Sequence, residues 1–416
     1  MRSAPHRFVC GNCFSDNGLK EYCSDHARRR RCNFCHANGS EPIAAPIEDV
    51  VAHIRDSIYR RYSSPENAGV PYESAEGGWI FKPSSTDELF EELGLEFTDE
   101  QQTLKETITN SLDNDQWAER NFYNLSAEEK NQFSWERFCN IIKHERRYFF
   151  LHQETKIDGD DDELLPPADV LKMLFSYAQR TNAFSVLSAN SQFYRARHQR
   201  PDEESFTSAS DLGPPPLDCA TRPNRMSPAG IVMLYAAEDP STAVAEIMRK
   251  SGTYVIAEFV GDRDLLLLDL THLPPAPTLF TEFPDDLEED PTPRLAFLHD
   301  VRREISKPIE DDKQGHIDYV PTQVVTEYLR TIVRIEGKSI DGIRYASSRR
   351  RGGNAIVIFA DQSNLILPPE EQTYAYALGD HWLRLNKVDN VLLSDEDLKT
   401  REQTWKAKKP WKLPET

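Results

Sequence analysis

NRMSPAGIVMLYAAEDPSTAVAEI, residues 224–247, runs two kinds of pattern together without a break. Residues 232–236 are short and apolar, the pattern of a buried strand. Asp239-Pro240 then ends the strand, because proline brings no N–H to a ladder and holds φ near the helical value. STAVAEI follows as a helix start, with Ser241 or Thr242 as its cap. A strand handing directly to a short helix sets the texture of everything after about residue 185. Strand-like runs recur at 192–196, 254–260, 265–270, 342–346 and 355–360, bounded by Gly, Pro, Asp and Asn. Helical patterns lie between them at 241–250 and 322–335. No sustained βαβ alternation appears, so the expected fold is α+β, with a mixed or antiparallel sheet.

Upstream the periodicity is helical. PIEDVVAHIRDSIYRRY places Ile47, Val51, Ile54, Ile58 and Tyr62 on one face, with Pro46 suited to a first turn. SSTDELFEELG predicts a short helix capped by Thr86 and stopped at Gly94. Another is predicted over 101–112. Ser126 and Glu129 have capping-box spacing, opening a helix that runs through Phe138 and Ile142 towards Phe150, with a break near Ser134. Residues 158–167 are acidic and then proline-rich, a natural linker, and 168–181 gives one more amphipathic helix.

Five of the seven cysteines fall in the first 35 residues. Cys10-x2-Cys13 and Cys32-x2-Cys35 are two tight turns, each able to bite one tetrahedral ion with a pair of thiolates. Four thiolates leave no position for water, so a structural zinc site is expected. Cys23-x2-His26 is an alternative pair; otherwise Cys23 is a core thiol and His26 a surface residue. Arg28 to Arg31, just before Cys32, read either as a solvated turn or as a nucleic-acid contact.

Lysine plus arginine number 49 against 69 acidic residues, a formal net charge of -20 over 416 residues. That excludes the broad basic footprint of non-specific nucleic-acid binding while leaving room for a local anion site. No apolar run approaches a membrane span, and MRSAPHRFVCGNC lacks a signal-peptide core. A soluble, cytoplasmic protein is the expectation.

Four strings occur in order: FYRAR (193–197), the 224–247 string, HIDYVPTQVVTEYLR (316–330) and DGIRYASS (341–348). Together they resemble the RES family, over about residues 191–390. The resemblance implies an ADP-ribosyltransferase-like fold and attack on NAD, in some members by hydrolysis or phosphorolysis as toxins, in others by transfer of ADP-ribose to protein. The helical stretch behind the first cysteine pair is similar to the HEPN-like domain that accompanies some RES domains. In many such domains an Arg-x4–6-His motif serves ribonuclease chemistry, and Arg147-x4-His152 fits it formally; a helix end with an aromatic core face explains it equally. The expected layout is a zinc ribbon over 1–40, a HEPN-like domain over 41–157, linker and helix over 158–185, the RES domain over 186–395 and a tail over 396–416.

On this resemblance, Glu246 stabilises the positive charge that grows on ribose as the nicotinamide bond breaks. Arg195 offers a planar fork to the pyrophosphate, with Arg225 as a second phosphate candidate. Tyr235 stacks on nicotinamide or ribose, and Ser347, chosen over Ser348 by the family's aromatic-x-Ser pattern, orients the ribose. Arg349 to Arg351 with Gly352-Gly353-Asn354 form either a phosphate cradle, in which Asn354 takes part, or a mobile basic loop. Residues 272–313 interrupt the domain as a proline-rich acidic insert: a lid, a partner surface or a solvated loop.

The leading expectation is an NAD glycohydrolase or phosphorylase acting as a toxin or defence effector. ADP-ribosyl transfer to a macromolecule is the closest alternative, and a zinc-ribbon/HEPN nucleic-acid-binding or ribonuclease protein is one of another class. NAD is the expected substrate and Zn2+ the expected structural ion. A neutralising antitoxin or regulatory protein is compatible with the family. A homo-oligomer is compatible with the sequence.

Overall fold

A computed structural model describes residues 7–74, 77–98, 101–120, 123–149, 164–283, 290–307, 315–372 and 379–414. The chain forms two compact units. The first comprises Met1–Lys130 with Pro275–Ala296, the second Asn131–Pro274 with Phe297–Thr416.

The first unit gathers its core around the helix Ile47–Arg61, whose Ile47, Val50, Ile54 and Ile58 are buried. Glu48 and Asp49 at its start and Arg60 and Arg61 at its end complement the helix dipole. Thr86–Glu92 is helical as expected, but Ser85 rather than Thr86 is its cap, exchanging hydrogen bonds with Glu88. The helix predicted over 101–112 spans Gln102–Thr109.

Part of the insert belongs to this unit. Phe280 is fully buried among Leu19, Tyr22 and Ile54. Its carbonyl lies 2.8 Å from His53 Nε2, while Thr278 Oγ1 donates to Asp16. Gly18 makes the approach feasible: a Cβ there would sit 2.6 Å from the Thr281 amide.

The second unit is built on one eight-stranded sheet. Its strands are β1 (Phe184–Leu187), β2 (Gln192–Gln199), β3 (Leu234–Ala237), β4 (Gly252–Gly261), β5 (Leu265–Asp269), β6 (Gly342–Ala346), β7 (Asn354–Ile358) and β8 (Leu383–Leu393). They lie in the order β8-β4-β2-β3-β7-β6-β5-β1, antiparallel except for the parallel pair β5 and β6. This is the α+β, mixed-sheet class expected.

Alternation decides the faces. Ala355 and Val357 of β7 pack with Leu268, Ile343 and Tyr345 against the helices Pro167–Arg180, Thr292–Ser306 and Val320–Thr331. Ile356 and Ile358 turn the other way, onto Phe193, Leu234, Val255 and Phe259. Each fully buried side chain of this size contributes about 1.5–3 kcal/mol of transfer free energy.

The capping box at Ser126 forms, with the Glu129 amide 3.2 Å from Ser126 Oγ. Its helix, Ala127–Asn140, is unbroken at Ser134, whose hydroxyl instead accepts from the Leu165 amide; a π-turn, Ile141–Glu145, ends it. Among the described residues no helix is long and apolar enough to cross a membrane.

Candidate active site

β3 and the helix Pro240–Ile247 meet at a tight turn. Asp239 is the cap, accepting from the Thr242 amide at 3.0 Å and from Thr242 Oγ1 at 2.6 Å, so neither Ser241 nor Thr242 has that role. The turn brings Tyr235 on the strand and Glu246 in the last helical turn to the wall of one cavity of about 500 Å³. Arg195 on β2 and Arg225 on the loop before β3 line the same cavity. The volume lies within the range of small-molecule sites.

Arg195 donates to the Gly213 carbonyl, and burial, helped by nearby Arg197, pushes its pKa down to about 10. It stays charged at neutral pH. Arg225 is held by the Ile305 carbonyl at 2.6 Å. The loop carrying it is clamped by the helix Val320–Thr331: Thr322 Oγ1 donates to the Arg225 carbonyl, and Gln323 Nε2 donates to the Asn224 carbonyl at 2.8 Å. The HIDYVPTQ string thus supplies the clamp and, through Tyr319, part of the wall.

Tyr235 turns its hydroxyl away into the 226–227 turn, accepting from the Met226 amide at 3.1 Å and lying 3.0 Å from Ser227 Oγ. Burial raises its pKa to about 12, so the phenol is neutral. Burial, and then the Glu246 charge, also push the Tyr345 phenol up. Ser347 is buried behind the wall and donates to Glu246 Oε1 at 2.5 Å, while accepting from the Arg349 and Arg350 amides at 3.1 and 3.0 Å. It is Ser348 that lines the cavity. Asn354 is not on the wall; its amide donates to Glu238 Oε2 at 2.7 Å.

Among the described residues the wall carries five arginines, 195, 222, 225, 249 and 349, against one carboxylate, Glu246. In a chain of net charge -20 that is a strong local reversal of sign. The arrangement can attract a polyanion and place one negative group where positive charge develops.

Two family models match the chain: the HEPN/RES N-terminal domain 1 over residues 25–156 and the RES domain over residues 192–379. The chain carries a RES domain. RES domains are associated with toxins that act on NAD, and every cavity residue named above lies inside the matched span. No curated protein and no solved structure matches the chain.

Sequence reasoning passed over Tyr194, Tyr319 and Tyr345, which give the RES cavity an aromatic lining, and Arg222 and Arg249. The available signal was position: Tyr194 adjoins Arg195 in FYRAR, and Tyr345 precedes Ser347 by two.

In the first unit the ligand atoms of Cys10, Cys13, Cys32 and Cys35 lie within 4.8 Å of one another. The Cys10–Cys35 and Cys13–Cys32 sulfurs are 3.4 and 3.5 Å apart. A tetrahedral zinc with Zn–S near 2.3 Å needs edges of about 3.8 Å, so the donor set fits with small shifts of the sulfurs. The helix Asn17–Asp25 lies between the two pairs in the chain. Cys23 is buried outside the quartet, its thiol pushed up to about 12 by burial. His26 stacks on Tyr22 at 4.1 Å and its Nδ1 lies 3.0 Å from the Tyr22 carbonyl. In the basic run, Arg28 pairs with Asp49 at 3.2 Å and Arg29 covers the Phe8 ring. Arg147 points back onto the Ile142 and Lys143 carbonyls, and His152 lies outside the described residues.

Proposed function

We propose that the RES cavity cleaves the bond between nicotinamide and ribose in NAD, with water or phosphate as acceptor, and that the protein serves as a toxin or defence effector. The observation that carries this reading is the convergence of Glu246, Arg195 and Tyr235 on one arginine-lined cavity. As the bond breaks, its electron pair leaves with the pyridinium nitrogen, giving neutral nicotinamide and a ribosyl cation. Glu246 stabilises that cation as it forms, which lowers the barrier without tightening substrate binding. Ser347 holds one carboxylate oxygen of Glu246, which itself lines the cavity. Arg195 and Arg225 hold the pyrophosphate. The acceptor then adds at the anomeric carbon and releases its proton: water yields ADP-ribose, phosphate its 1″-phosphate.

In the first unit Cys10, Cys13, Cys32 and Cys35 would hold a structural zinc ion, which would tie the two cysteine turns together.

The deciding experiment incubates the full chain with NAD, with and without phosphate, and separates the products by chromatography. Free nicotinamide with a free ribosyl product is expected. Label from NAD retained on protein would replace this reading by ADP-ribosyl transfer, and absence of both would remove it.

A further inference from the structure

The run Arg349 to Arg351 does not act as one basic patch. Arg349 lines the cavity, Arg351 lies over the Trp405 ring at 4.4 Å, and Arg350 turns inward with 11 % of its side chain exposed. Its Nε donates to the Trp411 carbonyl at 2.5 Å, and its Nη1 lies 3.3 Å from Asp239 Oδ2 and 3.1 Å from Thr242 Oγ1. One guanidinium therefore joins the C-terminal segment to the cap of the helix that carries Glu246. Its own amide meanwhile holds Ser347 Oγ, the group bonded to Glu246. Gly353 closes the same turn against Thr242, where a Cβ would overlap the threonine hydroxyl.

The C-terminal segment is fastened to that helix at further points. Arg401 Nη1 donates to the Ala245 carbonyl at 2.9 Å, and the Leu413 amide donates to Ser241 Oγ at 3.0 Å. Trp411 is buried, 4 % exposed, in a cluster with Val244 and Met248. Pro240–Ile247 is eight residues long, too short to hold its shape unaided, and Glu246 sits in its last turn. The carboxylate's position depends on what grips the helix from outside.

We propose that Arg350, with the segment from Arg401 to Leu413 that it ties down, is a positioning device for Glu246. Arg350 itself touches no substrate; it fixes the helix cap and the Ser347 turn together. The planar fork is essential, since a lysine ammonium on a flexible stem does not span three partners held at fixed angles. This inference rests on the NAD-cleaving reading of the cavity only for its activity arm.

The test compares full-length wild type with Arg350→Lys, Arg350→Ala and Trp411→Ala, and takes Glu402→Ala on the exposed face of the segment as reference. Nicotinamide release is followed as kcat and KM, and amide hydrogen exchange is read across residues 240–247 and 347–353. Both Arg350 variants are expected to lose about 10- to 100-fold in kcat, the scale of a misplaced reacting group, with KM within about threefold. Trp411→Ala shifts kcat the same way by less, and Glu402→Ala leaves it unchanged. Exchange over both segments rises in the Arg350 variants while the melting temperature stays within a few degrees. Wild-type kcat in Arg350→Lys, or a rise in KM with kcat intact, overturns the proposal. Should wild type release no nicotinamide, the cleavage reading fails and the exchange arm decides alone. Faster exchange in Arg350→Ala then supports the device, and unchanged exchange overturns it.

Discussion

Asp269 and Glu246 are both carboxylates of the second unit, and their surroundings are opposite. Asp269, at the end of β5, is 4 % exposed and accepts from the Thr271 amide and hydroxyl, Ser185 Oγ and Arg344 Nη1, at 2.6–3.0 Å. Burial alone would raise its pKa, but the Thr271 and Arg344 hydrogen bonds overcome it and hold the group down at about 2. Glu246 has Ser347 on one oxygen and a cavity in front of it. A carboxylate with every lone pair used holds a fold together. One that is gripped from behind and left open in front is placed to act on something that arrives.

That contrast can be broken by experiment. Glu246→Gln keeps the shape and removes the charge, so nicotinamide release should fall about 10²- to 10³-fold with no change in melting temperature. A variant that lost activity and stability together would place Glu246 in Asp269's class. Asp269→Ala should do the reverse, costing about 3 kcal/mol in urea unfolding. Arg344 keeps Glu238 at 2.9 Å, which holds the loss to the low end for a broken buried pair. The residual folded fraction should retain its turnover per molecule.

Acid sharpens the comparison. The Asp269 carboxyl is depressed from its ordinary 3.8 to about 2, so its contribution is complete above pH 3.8 and fades as pH falls towards 2. The difference corresponds to about 2 kcal/mol, visible as a shallower acid limb in Asp269→Asn than in wild type. The smallest effect belongs to Tyr235→Phe. It removes the hydroxyl bonded to the 226–227 turn and keeps the ring, so about 1 kcal/mol of stability is lost, with less than a tenfold drop in turnover.

Local signals were readable and distant ones were not. The core strands, the Ser126 box and the spacing of the four cysteines rest on neighbours within a few residues, where period and chemistry speak directly. Caps slipped by one to three positions, from Thr86 to Ser85 and from Ser241 or Thr242 to Asp239, because several adjacent residues can all accept an amide. β8 escaped notice: Lys387 and Asp389 interrupt its apolar pattern, as befits a strand at the edge of a sheet. Ser347 and Ser348 look alike in sequence, and only the return of the chain separates the one that grips Glu246 from the one on the cavity wall. The packing of Trp411 with Val244 and of Phe280 with Ile54 spans more than a hundred residues of chain, which no local pattern encodes.

Phe280 has a consequence for the order of events at the ribosome. The core of the first unit lacks one of its buried aromatics until Pro275–Ala296 is made, more than a hundred residues after Lys130 has emerged. At ordinary rates of synthesis that is a wait on the order of ten seconds. During it the core around Leu19, Tyr22 and Ile54 stands without Phe280. The nascent chain therefore passes through a stage in which residues up to Lys130 are already made while their core still waits for a segment far downstream.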